Sequence, residues 1–495
     1  MLNSLKSRQG AGAGSVHIAA SFAVAGVLTF AFQSLCTHVL GKQGFAPLAL
    51  LWSATFLTVQ VLWIGATQTL GRCVAEREAQ GKDWGPVVSS VRYWQIGLVV
   101  AFVLCAVLAG PLLTDELFED PWLTVAFVVA VVLYAPEYHR RGIFNGHRQS
   151  LRLGAQIVVE SSGRLLIAAV LLVVGWGVFG PVVAIVLAPL IGVLAIRPAS
   201  VAAPEREGEN FSAWQAFRFA APVLACMAFA QVLMNGGPIL ARVLDGSDAQ
   251  VSVFSAALIF TRIPQYVLSP AIGALLPRAS RVLSTEGRGA FDRFVAKSLG
   301  AVGLVGVLMV AGTWMFGEWG LRLFAGAEFD ASLAVLVALA TMAAFYLLSD
   351  ALNQGLFALG QGRLAALGWF VGLLACGVCL TALGFGVVER VAYSLALGTL
   401  VAAVAQGMFY VGMRPGATGR SSHSPSGCLA RRRRPQRRRP RCTHRPRGSP
   451  RAPRTRWRCQ RRAPCRSHRR RWAPRRRWAP RRCAGSLAHS RSGSD

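Results

Sequence analysis

RRGIFNGHRQSLRLGAQIVVESSGRLLIAAVLLVV, Arg140 to Val174, decides how the rest of the chain is to be read. The stretch opens as a basic, glycine-containing loop and becomes a helix from about Leu151. Its last ten residues, Leu165 to Val174, are all apolar. About 24 residues at ~1.5 Å each cross a bilayer core of ~30 Å, so the helix is predicted to span a membrane. Glu160 and Arg164 nevertheless sit in its first half, four residues apart and therefore on one face. A charge at the bilayer centre costs ~2.5–3.5 kcal/mol on insertion scales. That face must turn toward protein or water. It is either a structural ion pair between packed helices or one wall of a polar cavity.

Composition extends this reading to the whole chain. Hydrophobic residues make up 53% of the 495, and mean hydropathy is +0.44. Apolar runs of spanning length recur, as in a polytopic all-α membrane protein. The formal charge of +31 misleads, because 27 of the 53 basic residues and one of the 22 acids lie from Arg420 onward. The rest of the chain carries about +5. Cys376 and Cys379 form a CxxC inside an apolar run, where they read as small packing residues. No Walker A, Rossmann glycine, HExxH or G-x-S-x-G pattern occurs in a usable context. An enzyme is therefore not expected, nor a cofactor or a resident metal.

Twelve spans are predicted. Val16 to Leu40 is the first, the turn GKQGF leads to a second ending near Leu70, and a third covers about Ser90 to Leu113. The acidic loop TDELFED precedes a fourth, ending near Tyr138. The fifth is the opening stretch, and the sixth is about Pro181 to Ile196. After the polar linker come runs at about 217–240, 251–276, 296–316, 331–352, 364–385 and 391–411. Two six-helix lobes, 1–197 and 217–413, thus flank a linker at 198–216, and an arginine- and proline-rich tail occupies 414–495. The seventh and eighth runs carry NGGP at Asn235 to Pro238, then Pro264 and Pro270, so both are predicted to bend.

Loop charge gives orientation. The loops after even-numbered spans carry most of the bases, including Arg72, Arg77, Arg140, Arg141, Arg278, Arg281 and Arg363, whereas the loop between the third and fourth spans is purely acidic. The positive-inside rule places both termini in the cytoplasm. The halves also resemble each other: Leu40 falls over Leu244, LGRCVAE over LPRASRV, Gly142 over Gly355 and GWGV over GFGV, at offsets of 204, 206, 213 and 209. Six helices per copy give both copies one orientation, a parallel repeat about the membrane normal around a central cavity.

LGKQGFAPLALLWSATFL, GATQTLGRCVAE, RGIFNGHRQ and RIPQYVLSPAIGALLPRAS, in that order, resemble the multidrug/oligosaccharidyl-lipid/polysaccharide exporter superfamily, and within it the bacterial polysaccharide-repeat-unit flippases. The resemblance covers about residues 10 to 414. It implies a bacterial plasma-membrane transporter that moves a polyprenyl-diphosphate-linked glycan to the outer leaflet for cell-surface polysaccharide biosynthesis. Its expected partners are that lipid-linked glycan, the bilayer, and the polymerase and glycosyltransferases of the same pathway; nucleic acid is not among them. Asn235 is followed by Gly236 rather than by the acid often found in the family. A lipid II flippase, with fourteen helices and an Arg–Asp pair in the first, fits less well. A drug/cation antiporter of the superfamily would typically carry an acid in spans 1, 7 or 8, which lack one here. A polytopic glycosyltransferase or polymerase would need catalytic carboxylates and a large outer loop, and DELFED reads as a solvated turn.

A diphosphate in a membrane cavity needs cations, and arginine presents a fixed fork of donors. Arg164 and Arg262 lie inside spans of opposite lobes, with Glu160 one turn from Arg164. Gln60, Gln231, Asn235 and Gln265 are candidate sugar partners. Taken singly, each is more often a residue of helix packing or interface anchoring. Glu137 and Asp350 fall 213 residues apart at the inner ends of corresponding spans, as coupling or gating acids or as plain helix-end acids beside inner arginines. The tail cannot form a core and is expected to be disordered. Its composition suits an out-of-frame reading of a GC-rich gene, and secondarily a basic arm on anionic lipid.

Reporter fusions should show this topology: fusions after Thr114 and Gly246 outside, and those after Gly81, Gly208 and Gly287 inside. One reversed loop breaks the twelve-span arrangement.

Overall fold

A computed structural model describes residues 2–199, 201, 212–273 and 275–413, with side chains from His17 onward except at 213–220, 270 and 277. Most of the predicted linker, and all of the tail, lie outside the described residues. The first element, α1 (Leu2–Ala79), is 78 residues long, roughly 117 Å if straight. It is not straight. Gly41 adopts φ 64°, ψ −175°, a conformation that favours glycine, and the two arms fold back on each other. Phe32 and Trp52, nearly equidistant from that glycine, stack at 5.7 Å. The arms are the first two spans, and the charged stretch after Leu70 is largely helix rather than loop.

The N-terminal lobe continues with α2 (Gly85–Leu108), α3 (Pro121–Gly146), α4 (Ser150–Val173) and α5 (Phe179–Ala195). The RRGIFNG segment is thus the last turns of α3, not a loop. The acidic segment is also ordered, as a π-helix at Leu112–Phe118 whose Phe118 is buried. In the C-terminal lobe, α6 (Ala213–Asn235) and α7 (Gly237–Val243) make one span bent by 61°. Helices α8 (Asp248–Thr261), α9 (Ile263–Gly273) and α10 (Leu275–Glu286) make the next, bent by 43° after Thr261. Then come α11 (Arg288–Ala325), α12 (Leu333–Ala358), α13 (Gly362–Ala382) and α14 (Val387–Gly412). Counting the α1 hairpin twice, each bent set once and the short α5, the described residues make twelve passes.

The repeat is written in the backbone. Positive φ recurs at Gly41 and Asp245, Gly81 and Gly287, Glu119 and Gly326, Arg148 and Gly360. These pairs sit in four corresponding connections, one pair being glycine in both lobes, whereas Gly175 and Gly177 have no positive-φ counterpart among the described residues. Helices within a lobe approach closely through glycine. A Cβ on Gly146 of α3 would lie 2.6 Å from Val74 Cβ of α1, and one on Gly372 of α13 would lie 2.5 Å from the Gly398 carbonyl of α14. In lipid, such small-residue contacts supply the packing that a hydrophobic drive cannot.

Replacing Gly372 therefore forces α13 from α14. Gly372→Leu should destabilise the detergent-solubilised protein by about 1–3 kcal/mol or more, whereas Gly377→Leu, which meets open space, should leave the melting temperature unchanged.

Candidate functional site

A cavity of about 580 Å³ lies between the lobes, within the range of small-molecule sites. Arg164, Arg262, Glu160, Gln60, Gln231, Asn235 and Gln265 all line it, as does Asp350. Glu137 does not; it is fully buried behind the N-terminal wall. Phe22 and Gln68, toward the end that carries the basic loops, also line the cavity.

The N-terminal wall is built on α3 and α4. Residues 134, 137, 138 and 141 share one face of α3, and the helical extension past Tyr138 brings Arg141 onto that face. Arg141 Nη2 donates to Glu137 Oε1 at 2.6 Å and to Glu160 Oε2 at 2.5 Å. The other oxygen of Glu160 accepts from Arg164 Nη2 and, at 2.9 Å, from the Tyr134 hydroxyl. Two carboxylates and two guanidiniums thus form one closed group. Arg164 lies over Trp52 and Phe56, 5.2 and 5.4 Å from their ring centres, and Arg141 lies 4.7 Å over Tyr138. All three contacts have cation–π geometry. Glu160 and Arg164 are each 3% exposed, so this face of α4 is turned from lipid, as the cost of charge in hydrocarbon requires.

The C-terminal wall is built on the two bends. In a regular helix the Met234 carbonyl would accept from the amide of residue 238, but Pro238 has none. Arg262, at the bend between α8 and α9, supplies the donor: its Nη1 donates to Met234 O at 2.8 Å and reaches Asn235 Oδ1 at 3.5 Å. Its Nη2 donates to the Tyr266 hydroxyl at 3.2 Å, and its buried Nε has no partner among the described residues. No carboxylate lies within ion-pair distance of Arg262 among the described residues. The predicted bends thus place Arg262 and Asn235 together. Asn235 donates to Gln231 at 2.7 Å, and the Gln265 amide nitrogen lies 3.6 Å from the Met234 sulfur. Asp350 accepts from Gln354 at 3.1 Å.

The end away from the basic loops is closed. Arg242 of α7 bridges Glu119 of the other lobe, at 2.8 Å, and Asp248. The Ser34 hydroxyl donates to the Phe324 carbonyl at 2.6 Å, and Phe45 meets Phe329 edge to face. The acidic loop is therefore part of an inter-lobe seam rather than a purely solvated turn. Beneath the seam a void of about 20 Å³, room for one water, is lined by Gln33, Asn235 and Arg262.

Sequence reasoning missed Arg141, Tyr134, Tyr138, Asn353 and Gln354, which also line the cavity. The Glu137–Arg141 spacing of four was the available signal, hidden by reading 140–146 as a loop. Glu137 pairs with Arg141 of its own helix.

Residues 12–283 match the family described as polysaccharide biosynthesis protein. An uncharacterized protein of Mycobacterium tuberculosis (strain ATCC 25618 / H37Rv) is 26% identical over 406 residues, covering 78% of this chain and 90% of that protein. An uncharacterized protein of Mycobacterium bovis matches to the same extent. Among solved structures, the inward-facing conformation of a multidrug resistance MATE family transporter of the MOP superfamily superposes with TM-score 0.64 at 15% identity, over 80% of this chain and 96% of that one. An outward-facing structure so described gives 0.59 at 13%, over 80% and 94%. A eukaryotic MATE transporter gives 0.60 at 15%, over 81% and 95%.

The seam makes a testable demand. Glu119→Arg sets two guanidiniums against each other where an ion pair stood. Labelling of a Ser34→Cys reporter by a membrane-impermeant maleimide added outside should then speed up severalfold; an unchanged rate would remove Glu119 from the closure.

Proposed function

Because the chain belongs to the polysaccharide biosynthesis protein family, and is a membrane transporter of the MOP superfamily, we propose that it flips a polyprenyl-diphosphate-linked glycan from the inner to the outer leaflet. The observation that carries this reading is Arg262. A buried guanidinium without an acid partner, at a cavity between two lobes, holds a positive charge that an anionic ligand can satisfy. Its Nε is buried without a partner among the described residues. Around it, Gln231, Asn235, Gln265 and Asn353 offer the amide groups that sugar hydroxyls need, and Trp52, Phe56, Tyr134 and Tyr266 offer ring faces.

With the basic end taken as cytoplasmic, the headgroup enters from the inside and meets Arg262 and Arg164 together. The first phosphate oxygens meet the guanidinium of Arg262 and compete with its carbonyl, amide and hydroxyl partners. Arg164 is held by Glu160 until the ligand competes for it, so binding is favourable without being too tight for release. Release to the outer leaflet then requires the Glu119–Arg242 and Ser34–Phe324 contacts to part, as the lobes rock about the fixed site. A drug/cation antiporter is the second reading. Asp350 favours it, since that carboxylate lines the cavity with Tyr346 and Phe357 and has no base within ion-pair distance among the described residues.

Flipping of a lipid-linked sugar in reconstituted vesicles separates the two. A charge-assisted hydrogen bond contributes about 1.5–3 kcal/mol, so Arg262→Ala and Arg164→Ala should each slow flipping by roughly tenfold to a hundredfold. Arg164→Lys and Arg262→Lys, which keep charge but lose the fork, should retain partial activity. Full flipping by well-folded alanine variants would remove both from the site. Drug efflux dependent on Asp350, with no lipid flipping, would favour the antiporter.

A further inference from the structure

The closed group on the N-terminal wall does more than hold Arg164. Glu137 and Glu160 accept from the same nitrogen of Arg141, so the two carboxylates are near neighbours with one guanidinium between them. Three side chains converge where α5 comes closest. A Cβ on Gly192 would lie 3.5 Å from Glu137 Oε1, 3.4 Å from the Glu160 Cβ and 3.4 Å from the Gln156 Cγ. At this point Glu137 Oε2 and both amide atoms of Gln156 are buried without partners.

On α3, Tyr134 and Tyr138 flank the group, and Arg140 is occupied by the Val193 and Ile196 carbonyls beyond the end of the cluster. From α4 come Glu160, Arg164 and the neutral Gln156. Helix α5 carries no charged or titratable side chain, and its Gly192 lies beside Glu137. From α1 the groups are Gln60, 3.4 Å from the Tyr138 hydroxyl, and the Trp52 and Phe56 rings. Across the cavity stand Arg262 and Asp350. With both carboxylates and both guanidiniums ionised, the N-terminal group sums to zero, the state a buried site favours.

We propose that Glu137 and Glu160 form a proton-binding site linked to the anionic headgroup through Arg141 and Arg164; this rests on the flippase reading above. When the diphosphate draws the two guanidiniums toward the cavity, the carboxylates lose the charge that separated them. Two like charges in contact cannot both persist in a low-dielectric wall. One proton, delivered from bulk solvent as hydronium that returns to water, then forms an O–H bond on one carboxylate oxygen, and the resulting carboxylic acid donates to the other carboxylate. No electrons move, and nothing else is consumed. Linkage is reciprocal, so a proton taken up on anion binding also means that anion binding strengthens as pH falls. Glu137, remote from the ligand, acts by positioning and proton storage. Arg141 joins Arg164 as a direct partner of the phosphates.

The test uses the purified full-length protein and inorganic pyrophosphate as the headgroup probe. Calorimetric titrations in buffers of different ionisation enthalpy count the protons exchanged per pyrophosphate bound. Comparing wild type with Glu137→Gln cancels the protons that pyrophosphate itself exchanges. Wild type should take up about one proton more than the variant, and its affinity should gain up to about tenfold per unit of falling pH relative to that variant. Glu160→Gln reads the same pair from the other side: it should bind pyrophosphate more tightly than wild type, because both guanidiniums lose their competitor, and should also lack the extra proton. Binding with identical proton balance in wild type and both variants overturns the coupling and leaves the flippase reading intact. Absence of pyrophosphate binding to the wild type overturns both.

Discussion

The bond from Arg262 to the Met234 carbonyl is the contact on which the cavity depends. Hydrocarbon offers no hydrogen-bond partner, so a helix broken inside a membrane must have its freed carbonyls met by protein. Pro238 breaks one span and Pro264 lies just past the break in its neighbour, and the guanidinium at the second break satisfies the carbonyl left by the first. The two bent spans are thereby fixed to each other at the depth where the cavity ends. Asn235, Gln265 and Tyr266 take their positions from that contact, and removing the guanidinium would loosen the wall as well as discharge it.

The two walls solve the problem of buried charge differently. On the N-terminal side the charges are balanced within one cluster, and the aromatic rings under Arg141 and Arg164 keep the guanidiniums from collapsing into the wall. On the C-terminal side Arg262 has carbonyl, amide and hydroxyl partners but, among the described residues, no acid. The positions corresponding to Glu160 and Arg164 in the second half are Leu373 and Gly377, and Gln354 stands where Arg141 would be. The repeat therefore preserves the turns and spans while the polar chemistry differs between lobes. A ligand with a charged end and a sugar end finds two distinct walls, which fixes its orientation more firmly than a symmetric cavity would.

Closure at the opposite end rests on weaker contacts. Glu119 is more than half exposed, and an ion pair in that position contributes ~1 kcal/mol at most. The Ser34–Phe324 hydrogen bond and the Phe45–Phe329 edge contact are of similar small worth. A seam built from several small terms can open without unfolding either lobe, whereas the glycine-mediated contacts within each lobe cannot be exchanged piecemeal. This difference lets the lobes move as bodies.

The sequence alone determined the number of passes, the parallel repeat, the bends in the seventh and eighth spans, and which polar residues had to face inward. Each follows from local rules: spanning length, loop charge, proline's missing amide and the cost of charge in lipid. It also put Arg164, Glu160, Arg262 and the four amides forward as site candidates, because few polar residues interrupt such apolar runs. Tertiary structure alone decided which of them meet. The fold showed that Arg262 answers a carbonyl on another helix, that Glu119 crosses to Arg242, and that Glu137 shares Arg141 with Glu160. Those pairings join residues 28, 123 and 19 positions apart, and no periodicity within one helix encodes them. The physical reason is that a helix determines which of its faces is polar, but only the packing of several helices determines what that face will touch.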